Sequence, residues 1–526
     1  MLHLESGKDR QENHRAVVLV GIVLLLLITA CGDITSKETE AERVARIREQ
    51  LLVDSAQDAQ LRLGQFISAS KDSIEADHLV NDYYSNGGEW AWVGTDTSRL
   101  FDNATNMASF LEKRAEVMGF SPKAFFTEDI RQHIDHLRRL DFDSAGISPT
   151  GILAQLEWNL SRAFIRYALG QRFGFVEPHK AFNHLDKRPE GGHRIVYDID
   201  LEQPDSDFVA KALINAQEGH PVDFLQSLEP TDALYRQMAQ MLTTDTTTNG
   251  RKRLLCNMER RRWRHKQKPS EGQRHVFVNI AAQQLWAIHP DSVLTMRICC
   301  GAWRTKTPLL TSNIRLIQVN PEWNIPGSIL RNEVSRHGGD SAYFARNRYF
   351  IIRRSTGDTI PAKNVSPEQL RSGAYRVAQH SGRGNSLGRL IFRFPNQFDV
   401  YLHDTNSRGT FKAERRTVSH GCVRVQKPFE LACFLIPDAD EWLLDRIRLS
   451  IDMKPESQSG RNYLKEHAKD GTPIRLINST SVTPNVPLEI DYYTLYPNPE
   501  TGEWETWPDR YEYDKQILRR LKPYIP

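Results

Sequence analysis

The chain has 526 residues, which is enough for roughly two to four domains and a core that needs no disulfide or metal. Charged residues make up 26% and hydrophobic residues 39% of the sequence, both ordinary for a folded soluble protein. The formal net charge of +3 is too small to predict nucleic acid as a partner of the whole chain.

The N-terminal segment departs from this soluble composition. Lys8, Arg10 and Arg15 precede an apolar run over residues 16–30, which is shorter than a transmembrane helix of about 20 residues and fits a signal peptide. The run ends in small residues before Cys31, which resembles a bacterial lipobox with Cys31 as the lipidated first residue of the mature chain. The alternative is an uncleaved anchor. Either way the predicted location is the bacterial cell envelope, held at a membrane and facing the periplasm.

Sequence pattern divides the chain into four predicted parts. Residues 1–31 are the signal peptide and residues 32–48 a charged tether. Residues 49–268 are a helical scaffold domain that ends in a basic segment at 251–268. Residues 269–526 are a mainly β domain, expected as a β-sandwich with flanking helices. The predicted fold class is therefore α+β.

The helical part is predicted from apolar residues at three- and four-residue spacing. One buried face runs from Ile152 to Ala168, with a start at Ser148-Pro149 and a stop at Gly170. Helices are also predicted around 208–216 and on both sides of Pro230. This part shows no acid pair, metal-ligand spacing or phosphate loop, so a structural scaffold is the main interpretation.

Residues 243–250 are polar and are predicted to be a linker before the basic segment. A basic run is usually a solvated helix face. A weaker alternative is attraction to an anionic wall polymer or to lipid head groups.

From His275 the pattern changes to short β-rich runs punctuated by Pro and Gly. Residues 320–326 contain two prolines and are predicted to be irregular. A long, mostly irregular insertion at about 327–388 contains one short strand, and such insertions are often lids over active sites. The other predicted elements are strands at 276–280, 284–288, 293–298, 314–319, 389–394, 399–403 and 488–493, a helix from Pro428 and a closing helix at 514–521.

The six cysteines are Cys31, Cys256, Cys299, Cys300, Cys422 and Cys433. Without Cys31, an odd number remains in an exported chain, which suggests a reactive thiol. The adjacent Cys299 and Cys300 would point to opposite faces of a strand, so a bridge between them is not expected. No CxxC pair occurs, so a zinc ribbon is not indicated.

One stretch carries the residue types of nucleophilic catalysis. His403 ends a predicted strand, and Ser419-His420-Gly421-Cys422 follows after 15 intervening residues. A thiol with its ordinary pKa of about 8.5 needs a base or a positive neighbourhood to react. A single buried cysteine is usually inert and a single histidine at a strand end is usually structural, but this combination is far more specific.

The residues around the cysteine suggest how such a site would work. Gly421 lets a substrate approach the backbone, and the amides of Gly421 and Cys422 are candidate oxyanion donors. His403 is the candidate base, with Asp404 orienting it through its side chain or its backbone carbonyl. Arg424 would lie on the same strand face as the cysteine and is suited to bind a substrate carboxylate.

This motif resembles that of the L,D-transpeptidases with a YkuD-type catalytic domain. The similarity to the large, YcbB-like branch extends from the helical scaffold to the C-terminus, over residues 40–526. Segments that carry it are 257–263, 277–280, 307–308, 320–326, 385–388, 394–396 and 401–405. Small members often have Asn where this chain has Arg424, whereas the large branch resembles this chain. Large relatives often carry a peptidoglycan-binding domain between the two parts, for which residues 243–251 leave no room.

The resemblance implies that Cys422 is the nucleophile, His403 its base and Asp404 the orienting group. The oxyanion and substrate-binding positions it implies are Gly421, His420, Ser419 and Arg424. Cys422 would form a thioester with the third residue of a tetrapeptide donor stem and release D-Ala. The side-chain amine of an acceptor stem would then form a 3→3 cross-link, with no metal or other cofactor. Carbapenems are expected to acylate Cys422.

Four alternatives stay open at this point. The thioester would go to water in an L,D-carboxypeptidase or endopeptidase, or to another amine such as a lysine of an outer-membrane protein. The chain would bind the wall without turnover if it were a non-catalytic scaffold. The least favoured alternative is a metal site built from His403, His420 and Cys422.

Overall fold

In a computed structural model, the chain is described over residues 39, 42, 56–71, 74–93, 97–142, 146–188, 191–245, 247–270, 272–467 and 472–526. Cys31 and the rest of the predicted signal peptide lie outside these residues. Among the described helices, none has both the length and the apolar composition needed to cross a membrane.

The described chain forms two compact units. The first contains residues up to 177 together with 201–264 and 514–526, and the second contains 178–200 and 265–513. A linear division at residue 268 therefore does not match these units, because residues 178–200 and 265–268 belong to the second unit and residues 514–526 belong to the first. The predicted order of a helical part followed by a mainly β part, and with it the α+β class, is confirmed.

The first unit is built from helices around the long helix Pro149–Phe173. This helix begins where Ser148 Oγ accepts a hydrogen bond from the amide of Gly151, with Pro149 in the first turn. The other helices that lie wholly within the unit are Ala56–Ala69, Glu75–Ser85, Thr97–Met118, Thr127–Arg139, Phe208–Glu218, Pro221–Ser227, Ala233–Thr244 and Thr248–Arg262. The predicted helices around 208–216 and on both sides of Pro230 are thus confirmed.

The predicted stop at Gly170 is wrong. The helix continues to Phe173 and ends at Gly174, whose φ of 99° favours glycine. Gly170 serves packing instead, because a Cβ at this position would come within 2.2 Å of the Phe175 ring.

The basic segment also differs from the solvated helix face that was expected. The linker before it is short, since one helix ends at Thr244 and the next begins at Thr248. Arg262 is buried and contacts Glu259 Oε2 at 3.0 Å and the Tyr235 hydroxyl at 2.8 Å. Arg260 is also buried and forms an ion pair with Asp514 at 2.6 Å. These two arginines therefore pair with acidic residues in the interior and do not present their charges to an anionic polymer.

The second unit contains a ten-stranded sheet within the described residues. Its strands are β1 (Tyr197–Asp198), β2 (His275–Asn279), β3 (Gln284–His289), β4 (Ser292–Gly301), β5 (Leu309–Val319), β10 (Leu390–Arg393), β11 (Leu402–His403), β12 (Thr417–Ser419), β13 (Val423–Val425) and β14 (Ser479–Asp491). The order of the strands in the sheet is β1-β5-β10-β11-β13-β4-β3-β2-β14, with β12 beside β4, and β14 pairs with both β2 and β5.

Cys299 and Cys300 lie on β4 and are both buried, as core packing requires, and both are free thiols. A small hairpin, β15 (Leu495–Pro497) and β16 (Trp504–Thr506), completes the strands of the unit. Its helices include Pro178–Phe182, Pro428–Leu435, Glu441–Ser450 and Gln458–His467, and the C-terminal helix Tyr513–Leu521 belongs to the first unit from residue 514 onward.

The insertion at 327–388 is not irregular, which corrects the expectation. With the flanking β6 (Trp323–Asn324) it forms a four-stranded sheet in the order β6-β9-β7-β8. The other strands are β7 (Tyr349–Arg353), β8 (Thr359–Ile360) and β9 (Tyr375–Gln379), and the helical turns are Gly327–Ile329, Leu330–Val334, Ser335–His337, Ser341–Arg346, Ala362–Asn364 and Pro367–Arg371. Ile351, Leu370 and Val377 are buried in its own hydrophobic core. The insertion is therefore a folded subdomain.

Candidate active site

Two short neighbouring strands bring the predicted residues together. β11 and β13 run parallel, with Leu402 level with Val423 and His403 level with Arg424. Cys422 lies two residues before Arg424, and side chains two residues apart on a strand share a face. His403, Cys422 and Arg424 accordingly line one cavity of about 570 Å³.

The insertion contributes another wall of this cavity. Arg331, Glu333, Tyr343 and Tyr349 of the insertion and Trp323 of the flanking β6 line it together with His403, Cys422 and Arg424. The role of the insertion as a lid stays a prediction.

The Cys422 thiol is half-buried, and burial raises its pKa to about 11. The backbone of Tyr401 and the charge of Arg424 act in the opposite direction, but they do not offset the loss of solvation. Sγ lies 3.9 Å from the carbonyl oxygen of Asp399. The thiol is therefore protonated at neutral pH.

His403 is buried, with 4% of its surface exposed. Burial lowers the pKa of its imidazole to about 4, and the neighbouring Arg424 acts in the same direction. Among the described residues, Nδ1 has no hydrogen-bond partner. The ring is therefore neutral near pH 7 and able to accept a proton.

Asp404 does not orient His403 through its side chain. Its carboxylate accepts hydrogen bonds from the amide of Arg389 at 2.8 Å and from Arg408 at 2.9 Å. It packs so tightly on Gly388 that a Cβ there would lie 2.4 Å from its Cγ. The Asp404 backbone does favour the charged form of His403, so orientation by the backbone stays a prediction.

Ser419 shapes the turn before the cysteine. Its hydroxyl donates to the carbonyl of Cys422 at 2.6 Å and accepts from the amide of Gly421 at 3.2 Å. The φ of Gly421 is 127°, in the region that favours glycine. The Gly421 amide, predicted as an oxyanion donor, is therefore already bonded, whereas the amide of Cys422 donates to no group among the described residues.

Arg424 and His420 have different surroundings in the cavity. The Arg424 guanidinium makes no ion pair within the described part of the chain, and its Nε is buried without a partner. It is therefore available to a substrate carboxylate. His420 Nε2 lies 2.8 Å from Glu333 Oε1 on the insertion.

Sequence reasoning missed Glu333 and assigned no role to Tyr401. The Glu333 contact joins residues 87 positions apart and follows no spacing rule. Burial raises the pKa of the Tyr401 phenol, and the neighbouring Cys422 adds to this. An aromatic residue two positions before a strand-end histidine is a weak signal, because strands commonly contain such residues.

Comparisons with known proteins identify domains in this chain. Residues 273–476 match the family model of the YkuD L,D-transpeptidase catalytic domain, and residues 77–242 match the model of a scaffold domain. A curated Haemophilus influenzae protein named "Putative L,D-transpeptidase" is 29% identical over 323 residues. The match covers 60% of this chain and 60% of that relative's length. The chain thus contains a YkuD-type L,D-transpeptidase catalytic domain preceded by a scaffold domain, an arrangement consistent with the YcbB-like branch.

Proposed function

We propose that this protein forms 3→3 cross-links between peptidoglycan stems through a thioester on Cys422. The observation that carries the proposal is one cavity lined by a thiol, a neutral imidazole and a guanidinium that makes no ion pair with the described residues. Each of the three has one task in acyl transfer: attack, proton transfer and substrate binding.

In the acylation step, the carboxylate of the terminal D-Ala of a tetrapeptide donor binds Arg424. The sulfur of Cys422 attacks the carbonyl of the third residue, and His403 accepts the thiol proton. The free amide of Cys422 donates to the oxyanion. His403 then returns the proton to the leaving amine of D-Ala, and the C–N bond breaks to leave a thioester.

The resting site favours a neutral pair over a thiolate–imidazolium pair. The thiol pKa is about 11 and the imidazole pKa about 4, so transfer of the proton from the thiol to the imidazole before the attack is unfavourable. We infer that the proton moves as the C–S bond forms, with His403 as a general base.

The second step transfers the acyl group to the side-chain amine of an acceptor stem. The folded insertion would exclude water from the thioester and so favour the amine over hydrolysis. The peptide stems are the proposed donor and acceptor, and a carbapenem is the proposed covalent inhibitor.

Incubation of the purified protein with a disaccharide-tetrapeptide tests this function. Mass spectrometry should show a cross-linked dimer that has lost one D-Ala. Cys422→Ala should abolish it, and the matched control Cys433→Ala, a half-buried thiol outside the cavity, should retain it. A dimer made by Cys422→Ala would contradict the proposal, and tripeptide without dimer would favour the hydrolase.

We also propose that Cys31 carries a lipid that holds the protein at a membrane of the cell envelope. The support is the small-residue motif before Cys31 and the basic, apolar segment that precedes it. Metabolic labelling with an azido fatty acid should mark the wild-type protein in the membrane fraction. Equal labelling of Cys31→Ala would contradict the lipid anchor.

A further inference from the structure

The transfer step of the proposed function has a proton requirement that one histidine meets poorly. An alkyl amine reaches the thioester as an ammonium ion at neutral pH, since such groups have a pKa of about 10.4. Its nitrogen loses one proton before it attacks and another after the C–N bond forms. His403 is buried with a pKa of about 4, so it is a weak base toward an ammonium ion arriving from solvent.

A second histidine borders the same cavity in a different setting. The side chains of His420 and Glu333 are 53% and 48% exposed, and both line the cavity with Cys422. His420 Nε2 lies 2.8 Å from Glu333 Oε1, and its Nδ1 makes no hydrogen bond in the part of the chain that the structure describes. In the tautomer in which Nε2–H donates to Glu333, Nδ1 carries the free lone pair.

We propose that the Glu333–His420 pair is the base that prepares the acceptor amine, an inference that rests on the proposed function. The N–H bond of the ammonium breaks and its proton moves to His420 Nδ1, while Glu333 stabilises the imidazolium that results. The neutral amine forms the C–N bond to the thioester carbonyl. The C–S bond then breaks, and the second proton passes through His403 to the sulfur of Cys422.

The neighbouring arginine does not occupy the Glu333 carboxylate. Arg336 donates to the backbone carbonyls of Asn332 and Glu333 rather than to the Glu333 carboxylate. Burial raises the pKa of Tyr343, and raises that of Tyr349 to about 12, with the Glu333 charge adding to both.

The other charged or titratable groups around the cavity are Arg331, Asp399, Tyr401, His403, Cys422 and Arg424. Within the described part of the chain, His420 is the one of these groups whose side chain contacts the Glu333 carboxylate.

A merely structural role for the contact is the main rival. Glu333 lies on the insertion and His420 on the turn before Cys422, so their contact would also hold the insertion over the site. A latch of this kind would affect every acceptor alike, whereas a base matters for acceptors that arrive protonated. Hydroxylamine, which is largely neutral at pH 7, therefore separates the two roles.

The experiment compares transfer rates from a preformed Cys422 thioester to a stem-peptide amine and to hydroxylamine. For Glu333→Gln, the ratio of the amine rate to the hydroxylamine rate should fall about 10-fold or more. His420→Asn should lower the ratio similarly, and Glu333→Asp should restore part of it. Glu368→Gln, an exposed carboxylate of the insertion outside the cavity, should keep the wild-type ratio.

Three results would overturn the inference. Unchanged rates with both acceptors in Glu333→Gln and His420→Asn would exclude any role of the pair in transfer, and equal losses with both acceptors would show that the pair only holds the insertion in place. Absence of any Cys422 thioester in the wild-type protein would overturn the proposed function and this inference together. That last result is read from the intact mass before any acceptor is added, so the two failures are distinguishable.

Discussion

At the scale of single residues, the raised pKa of Cys422 predicts its reactivity in the free protein. A raised thiol pKa keeps the thiolate fraction small at neutral pH and lets it grow as pH rises. Alkylation of Cys422 by iodoacetamide should therefore increase beyond pH 9 toward a midpoint near the pKa of about 11. Peptide mass mapping would follow this cysteine separately from Cys433. A plateau already reached at pH 7 would show a preformed thiolate and contradict a neutral thiol–imidazole pair.

The sequence predicted side chains whose positions follow from strand pairing. His403 and Arg424 meet because parallel strands bring their register partners together, and Cys422 follows from the two-residue period. The surroundings of Asp404 and Gly421 differed from the prediction because nearby groups, the amide of Arg389 and the hydroxyl of Ser419, form hydrogen bonds with them. Backbone amides and turn hydroxyls leave no pattern from which such competition could be predicted.

Arg424 is predicted to bind the donor through its carboxylate. Because hydrogen bonds to charged groups contribute about 1.5–3 kcal/mol, Arg424→Gln should lower kcat/KM for the tetrapeptide roughly 10- to 100-fold. Arg424→Lys should lower kcat/KM less than Arg424→Gln does, because lysine keeps the positive charge although it cannot form the bidentate contact. Steady-state kinetics would measure both, with the exposed Arg353→Gln as the control. An unchanged kcat/KM in Arg424→Gln would remove Arg424 from donor binding.

At the scale of elements, helix and strand positions were predicted better than their ends or their environment. The apolar face of Pro149–Phe173 was clear, but its end depended on Phe175 packing over Gly170, a contact that periodicity does not encode. The insertion was judged irregular because its strands are short, two to five residues each. Its core becomes apparent once Ile351, Leu370 and Val377 are brought together.

The turn from Ser419 to Cys422 is predicted to need the serine hydroxyl. Ser419→Ala removes both its hydrogen bonds, to the Cys422 carbonyl and from the Gly421 amide. A nucleophile that is less well oriented reacts more slowly, so acylation of Cys422 by a carbapenem should slow by about 10-fold or more. Stopped-flow measurement would test this, with the exposed Ser479→Ala as the control. Equal rates in the two variants would show that the hydroxyl does not position the cysteine.

At the scale of the whole molecule, each unit contains buried charges that sequence patterns describe poorly. In the helical unit Glu157 is fully buried and accepts from the amides of Ala91, Trp92 and Val93 and from the Tyr84 hydroxyl. Apolar periodicity located the helix that carries Glu157 but gave no reason to expect a carboxylate inside. The buried arginines of the basic segment were misjudged for the same reason.

Glu157→Gln should destabilise the helical unit. The side-chain NH2 group of glutamine would face groups that are themselves hydrogen-bond donors. The free energy of unfolding should therefore fall by about 2–3 kcal/mol. Urea denaturation followed by tryptophan fluorescence would measure the change. The exposed Glu116→Gln is the control and should stay within about 0.5 kcal/mol of the wild type. A Glu157→Gln variant as stable as this control would contradict the role given to the buried carboxylate.

The central claim is that Cys422 forms the covalent intermediate of acyl transfer. The most direct measurement is intact-mass spectrometry of the protein mixed with a tetrapeptide donor without acceptor, followed by peptide mapping. We expect an added mass equal to that of the donor minus D-Ala, located on Cys422 and released by hydroxylamine. A dimer formed by a wild-type protein that never carries this adduct, or an adduct on another residue, would contradict it.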